Sequence, residues 1–157
     1  ALAACRADVT AALARLEPGL VAAPWTLGAH ILAGTAMSVL SAPYHRDTDG
    51  ILAADAMLTA PPAEAAALLA ARGVTHVAFC PDETIAGKIA SRAPSGLLAV
   101  LAKGVVPPFL APVADTGGAR VYTLRPADAP EFTGSLPAAP RRAPLPDVDL
   151  DLRPTLD

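Results

Sequence analysis

The chain has 157 residues, a length that suits one domain with a core of its own. Hydrophobic residues make up 53% of it and charged residues only 17%, against about 45–50% and about 25% in soluble domains. The net charge is −3 and no basic run extends beyond Arg141–Arg142. The composition therefore predicts an apolar domain and argues against nucleic acid as a partner.

Apolar residues at helical spacing predict a first helix in "LAACRADVTAALARLEPG". The uncharged residues 18–44 follow, and their length would allow one membrane-spanning helix. Pro24, Gly34 and Pro43 interrupt that stretch, so we expect strand, helix and strand instead. The predicted segments are "GLVAAPW", then "TLGAHILAGT" with Thr26 as its cap, then "AMSVLSAPY".

The second half of the core continues the alternation of helices and strands. "GILAADAML" and "PPAEAAALLAARG" predict two helices, the latter ending at Gly73, and "VTHVAFC" predicts a third strand. Asp82 is the expected cap of "ETIAGKIASRA" and Ser95 that of "GLLAVLAKG". The segment "PPFLAPVADTGGARVYTLRP" is typical of a closing antiparallel hairpin.

This order of elements predicts a three-layer α/β fold whose sheet is mostly parallel, Rossmann-like or flavodoxin-like, with a C-terminal antiparallel hairpin. The α/β domain spans residues 1–126, and residues 127–157 form a proline-rich, acidic tail that cannot support its own core. Within the tail "DVDLDL" alternates acidic and apolar residues, so we expect the tail to dock on the domain as an edge strand.

Candidate functional residues follow the predicted strands, where ligands bind in open α/β sheets. Arg46 could hold a phosphate or carboxylate, His45 could exchange a proton, and Tyr44 could stack on a sugar or donate from its hydroxyl. A structural interpretation stays open, in which Tyr44 packs on the strand ends and Arg46 pairs with a neighbouring aspartate. The full predicted surface consists of Trp25, Tyr44, His45, Arg46, Asp47, Asp49 and Asp82.

Motifs for catalysis, metals and cofactors are missing from the sequence. "DTDG" lacks the third acid and the later glutamate of an EF-hand, and neither a P-loop nor G-x-G-x-x-G occurs. Ser38 and Ser41 lack the G-x-S-x-G context of a hydrolase. We therefore predict no cofactor, no metal and no catalytic residue, and we expect His30 and His76 to be buried and hydrogen-bonded.

Cys5 and Cys80 belong to no metal-binding or CxxC pattern. Outside the cytoplasm they could form one disulfide that closes a long loop. Two buried free thiols are the alternative. The chain begins "ALAACRADV", without an initiator methionine or a signal-type apolar segment, so we expect it to be part of a longer protein.

The "APYHR" turn, the unit "EAAALLAARGVTHVAFC" and the segments "GLLAVLAKGVVPPFLAPV" and "RVYTLRP" together resemble a known kind of domain. Over residues 5–126 the chain is similar to the soluble C-terminal region of polytopic bacterial membrane proteins of the GT-C glycosyltransferase class. In that class the catalytic acids lie between transmembrane helices, which here would precede Ala1, so no catalytic residue is carried over.

The resemblance implies a non-catalytic accessory domain on the periplasmic face of the bacterial inner membrane. Its partners would be the transmembrane portion of the same parent chain and a lipid-linked sugar or glycan acceptor. Two other interpretations stay open. One is a free-standing small-molecule enzyme that uses His45 and an acid on the same rim, or a ligand-binding domain that uses the turn over residues 44–49. The other is a purely structural module of the cell envelope.

Overall fold

The computed structural model describes residues 2–41, 48–114 and 118–125. Helices and strands follow one another along this part of the chain in the order that the apolar periodicity predicts. In chain order they are α1 (Leu2–Ala14), β1 (Leu20–Ala22), α2 (Trp25–Gly34), β2 (Ser38–Val39), α3 (Thr48–Thr59), α4 (Pro62–Arg72), β3 (His76–Phe79), α5 (Thr84–Arg92), α6 (Leu97–Ala102), β4 (Leu110–Ala114) and β5 (Arg120–Leu124).

The strands form one mixed sheet in the order β2-β1-β3-β5-β4. β1 pairs in parallel with both β2 and β3, whereas β5 is antiparallel to both β3 and β4. The predicted hairpin is present, but it places its second strand, not its first, beside β3. Among the described residues half of the strand pairings are therefore parallel, and the prediction of a mostly parallel sheet is not met.

Helices cover both faces of the sheet, because successive strand side chains point to opposite sides. On β3, Val77 and Phe79 enter one apolar cluster, while Ala78 enters the other. Helices α3 to α6 pack on the first face, where Phe79 also stacks on Tyr122 of β5. Helices α1 and α2 pack on the second face. The three-layer α/β architecture predicted from the sequence is thus observed.

The uncharged stretch from residue 18 to residue 41 folds as strand, helix and strand, with α2 only 10 residues long. None of the helices in the described part of the chain combines the length and the apolar character that crossing a membrane requires. The second strand of this strand–helix–strand segment, β2, has only two residues, fewer than the apolar run around it suggests.

Helix starts differ from the sequence prediction, since none of the three predicted side-chain caps forms. α2 follows Pro24 and not Thr26, and the fixed φ of this proline suits the approach to a helix. α5 follows Glu83 and not Asp82, and α6 follows Gly96 and not Ser95. The end of α4 is as predicted, because Gly73 adopts the left-handed conformation with φ of 70°.

The hairpin bends at its edge, where the pairing of β4 with β5 shifts between Pro112 and Ala114. Pro112 is compatible with β4 because this strand lies at the edge of the sheet. The tail over residues 127–157 and its "DVDLDL" segment lie outside the described residues, so the predicted domain boundary and docking stay predictions.

Candidate functional site

A cleft of about 340 Å³ opens at the carboxyl ends of the parallel strands. We call it the strand-end cleft. Pro24 and Trp25 follow β1 and Ser41 follows β2, so the cleft lies where ligands bind in open α/β sheets. Its volume falls within the usual range for small-molecule pockets, about 300–1,000 Å³. The lining residues are Pro24, Trp25, Ser41, Ile51, Leu52, Ala54, Asp55, Leu58, Ile85, Lys88, Ile89 and Arg92.

The floor of the cleft is fixed by backbone pairing beyond the strand ends. The amide of Leu40 donates to the carbonyl of Val21 at 2.9 Å, and the Ser41 hydroxyl donates to the carbonyl of Ala23 at 3.1 Å. Ser41 is buried, and its hydroxyl is held by that carbonyl rather than by a base. Ser41 therefore joins the two strand ends and is not placed as a nucleophile.

Trp25 takes its place in the cleft because α2 begins at this residue. Its side chain is 37% exposed, so one part packs on the protein and the other faces the cleft. Indole rings bind apolar groups and cations on their faces and donate one hydrogen bond from the ring nitrogen. Of the three residues of the predicted surface that the structure describes, Trp25 is the one that lines the cleft.

Helices α3 and α5 form the two long walls. Leu52 on α3 is 62% exposed, and Ile85 on α5 faces the same space. An ion pair between Arg92 of α5 and Asp55 of α3 connects the walls, and both side chains remain partly exposed. An exposed ion pair of this kind contributes little to stability, about 0–1 kcal/mol. Its effect is to keep a guanidinium group at the cleft.

Lys88 adds a second cation one helical turn before Arg92. Within the described residues no ion pair or hydrogen bond to Lys88 is present. The cleft thus combines an aromatic ring, aliphatic walls and positive charge. This combination of side chains suits an apolar group that carries negative charge.

The other predicted residues lie away from this lining or outside the described part of the chain. Asp49 is exposed in the first turn of α3, and Asp82 is exposed in the turn after β3. Tyr44, His45, Arg46 and Asp47 belong to residues 42–47, which the structure does not describe. The two ends of that segment adjoin Ser41, which lines the cleft, and α3, which forms one of its walls.

Glu83, beside Asp82, is a buried carboxylate that the sequence does not single out, and it does not line the strand-end cleft. It is only 4% exposed, and neither carboxylate oxygen has a hydrogen-bond partner among the described residues. Burial raises the pKa of this carboxyl group, and the nearby charges of Arg6 and His30 oppose that rise. The sequence marks Glu83 only as part of the turn after β3, and its burial depends on helices that are distant in sequence.

A disulfide joins Cys5 of α1 to Cys80 at the end of β3, with 6.0 Å between their Cα atoms. Of the two alternatives that the sequence leaves open, the structure has the bonded one. Arg6 is the residue after Cys5 in α1, and Glu83 lies three residues after Cys80. The disulfide therefore also holds the first part of α1 close to the loop that contains Glu83.

The two histidines differ in their surroundings. His76 is buried in β3, where its Nδ1 lies 3.0 Å from the Thr123 hydroxyl, and burial lowers its pKa. The prediction of a buried, hydrogen-bonded residue is correct for His76. It is wrong for His30, which is exposed because α2 is covered by α1 and the sheet on one side only.

Comparison with known proteins supports the fold. No family model and no curated protein sequence matches the chain. Among solved structures, it is similar to the C-terminal globular domain of an oligosaccharyltransferase from Archaeoglobus fulgidus, with a TM-score of 0.58 and 12% identity. The match covers 76% of this chain and 96% of that domain. At this identity the similarity shows a shared mixed α/β fold.

Proposed function

We propose that this chain is a non-catalytic accessory domain of a membrane-embedded, glycosyltransferase-like protein. The observation that carries the proposal is the fold similarity to the C-terminal globular domain of an oligosaccharyltransferase, which extends over 96% of that domain. Because the match covers nearly the whole of that domain, the similarity concerns a domain fold and not one short motif. The archaeal source of that domain leaves the bacterial origin of this chain a prediction.

The periplasmic location is part of the same proposal, and the disulfide supports it. Disulfides persist in oxidising compartments and are rare in the cytosol. Both cysteines of this chain take part in the bond between Cys5 and Cys80. On this proposal the chain lies on the extracytoplasmic face of the inner membrane and is attached to the transmembrane portion of its parent chain.

The role of the domain is to bind an acceptor or partner, because the strand-end cleft offers contacts for a ligand, and among its described residues no nucleophile contacts a base. Trp25 supplies an aromatic ring, and Lys88 and Arg92 supply positive charge. Tyr44, His45 and Arg46 occur in the segment that connects two elements of this cleft, and they complete the proposed interaction surface. A lipid-linked sugar or a glycan acceptor is the proposed ligand.

The test is the double substitution His45→Ala and Arg46→Ala in the full-length parent protein. We expect glycan transfer in cells to decrease while circular dichroism of the isolated chain stays unchanged. The matched control is Lys103→Ala, an exposed cation that does not line the cleft. Normal transfer by the double variant would remove these residues from the proposed surface.

A second candidate function is binding of a free small molecule, which the size of the cleft favours. The two candidates differ in what precedes Ala1 in the gene. A run of transmembrane segments there supports the accessory domain, and a different soluble domain or a start codon supports the second candidate.

A further inference from the structure

The strand-end cleft exposes more apolar surface and more positive charge than the described residues cover. Leu52 is 62% exposed on one wall, and Lys88 on the other wall has no partner among the described residues. A ligand that fits both features needs apolar groups on one side and negative charge on the other.

One segment of the chain outside the described residues has this pattern. In "DVDLDL", residues 147–152, acidic and apolar residues alternate strictly. In an extended conformation Asp147, Asp149 and Asp151 lie on one side, and Val148, Leu150 and Leu152 lie on the other. The segment carries three negative charges and no positive one.

The spacing of the charges also matches. Acids at alternate positions of an extended segment are about 6.6 Å apart, since each residue advances about 3.3 Å. Lys88 and Arg92 are four residues apart on α5, which corresponds to about 6 Å along a helix that rises about 1.5 Å per residue. Two successive aspartates can therefore face Lys88 and Arg92, which keeps its ion pair with Asp55, while the leucines face the apolar walls.

The connection is long enough for the segment to reach the cleft. The described residues end at Arg125, and 22 residue steps separate it from Asp147. That length can extend to about 70 Å, whereas a domain of this size has a radius of gyration of about 14 Å. A tethered segment has an effective concentration of about millimolar, so even a weak contact is populated.

We propose that residues 147–152 of the tail dock in the strand-end cleft, with their aspartates on Lys88 and Arg92 and their apolar side chains between α3 and α5. The tail then occupies the surface at which a partner would bind and competes with it. The contact itself does not depend on the proposed function, since it lies within one chain, whereas the competition with a partner rests on that function.

Carbodiimide cross-linking tests the contact directly, because it joins only amines and carboxylates that are close together. We expect mass spectrometry to find Lys88 linked to one of the three aspartates. Lys103, the only other lysine of the chain, donates a hydrogen bond to the carbonyl of Pro94 and serves as the control site. Absence of the Lys88 cross-link, or equal cross-linking of Lys103, overturns the proposal.

An equal mixture of unlabelled and ¹⁵N-labelled chains identifies which chain supplies the segment. Cross-links only within unlabelled or only within labelled chains are the expected result. Mixed pairs would show that the tail of a second copy occupies the cleft, and would overturn an intramolecular contact.

Trp25 provides an independent measurement, since it is the only tryptophan and it lines the cleft. We expect Lys88→Glu to increase quenching of its fluorescence by acrylamide and to shift its emission to longer wavelength, because the segment leaves. A second change, Asp149→Lys, should restore the wild-type signal in that variant. Lys103→Glu is the matched control and should change nothing. Unchanged quenching in Lys88→Glu would contradict the proposal.

Discussion

The carboxyl group of Glu83 is buried beside Arg6 and His30, and it forms no hydrogen bond with any described residue. Burial raises its pKa above the usual 4.5, so the folded protein binds its proton more tightly than the unfolded chain does. The stability from this group is complete below pH 4.5 and is lost as the pH rises through the higher pKa of the folded state.

Glu83→Gln should therefore stabilise the protein at pH 7.5 by about 1 kcal/mol or more, since a neutral amide is cheaper to bury than a carboxylate. At pH 4.5 the two proteins should differ much less. Urea denaturation at both pH values measures the difference. The control is Asp82→Asn, which changes the exposed neighbouring carboxylate and should have no effect.

The variant must be compared with wild type at each pH, because His76 changes the stability with pH in the direction opposite to Glu83. Burial lowers its pKa, so the stability it contributes is lost as the pH falls below its usual value of 6.5. This contribution is common to both proteins and cancels in their difference. A Glu83→Gln protein that is less stable than wild type at pH 7.5 would show that the charge of Glu83 is needed to balance Arg6.

Trp25 and Glu83 illustrate what the sequence could and could not predict. Trp25 was predicted because a residue that directly follows a parallel strand lies at the ligand-binding edge of the sheet. Glu83 follows another strand of the same sheet, but its burial requires α1, which is about 75 residues away and joined at Cys5. The sequence around Glu83 does not indicate that packing.

At the scale of elements, the junction of α3 with α6 depends on one glycine. The amide of Leu97 donates to the carbonyl of Ala60 at 2.8 Å, which brings the start of α6 against the end of α3. A Cβ atom on Gly96 would lie 2.5 Å from the carbonyl oxygen of Thr59, closer than real contacts allow.

Gly96→Ala should lower the free energy of unfolding by about 1–3 kcal/mol, because the backbone of Thr59 must move. Gly87→Ala is the matched control in α5, where a Cβ atom meets nothing within 4 Å. The control should stabilise the protein by about 0.5–1 kcal/mol through its higher helix propensity. Chemical denaturation of both variants measures the contrast, and equal effects would contradict this role of Gly96.

The predicted elements were correct where a pattern extends over a whole element. The 11 residues of α4 end at Gly73 as predicted, because a left-handed residue is needed there. Strand pairing was harder to predict, since the strand of the hairpin that joins β3 is decided by packing and not by the turn. Pro112 is a local sign that β4 is the edge strand, since proline disfavours a central position in a sheet.

At the scale of the whole molecule, the bond from Cys5 to Cys80 holds α1 to the centre of the sheet. Closing a loop with a sequence separation of 75 restricts the unfolded chain by about 4 kcal/mol in the chain-entropy model. Reduction should therefore lower the free energy of unfolding by about that amount. The whole effect of a reductant belongs to this bond, since the sequence has no third cysteine.

Urea denaturation with and without dithiothreitol measures this contribution, and intact mass after alkylation reports the state of both sulfurs. The protein as purified from an oxidising compartment should not react with iodoacetamide until it is reduced. Two alkylated cysteines in the native, unreduced protein would contradict the disulfide and would remove one support for the periplasmic location.

The same bond has a mechanical consequence. Tension applied between the two ends of the chain passes from Cys5 directly to Cys80 and bypasses everything between them. When a single oxidised molecule is pulled apart, the 75 residue steps inside the loop add no contour length, which shortens the extended chain by about 25 nm at about 3.3–3.6 Å per residue. A force applied ahead of Cys5 would reach the central strand without first unwinding the helices of the loop.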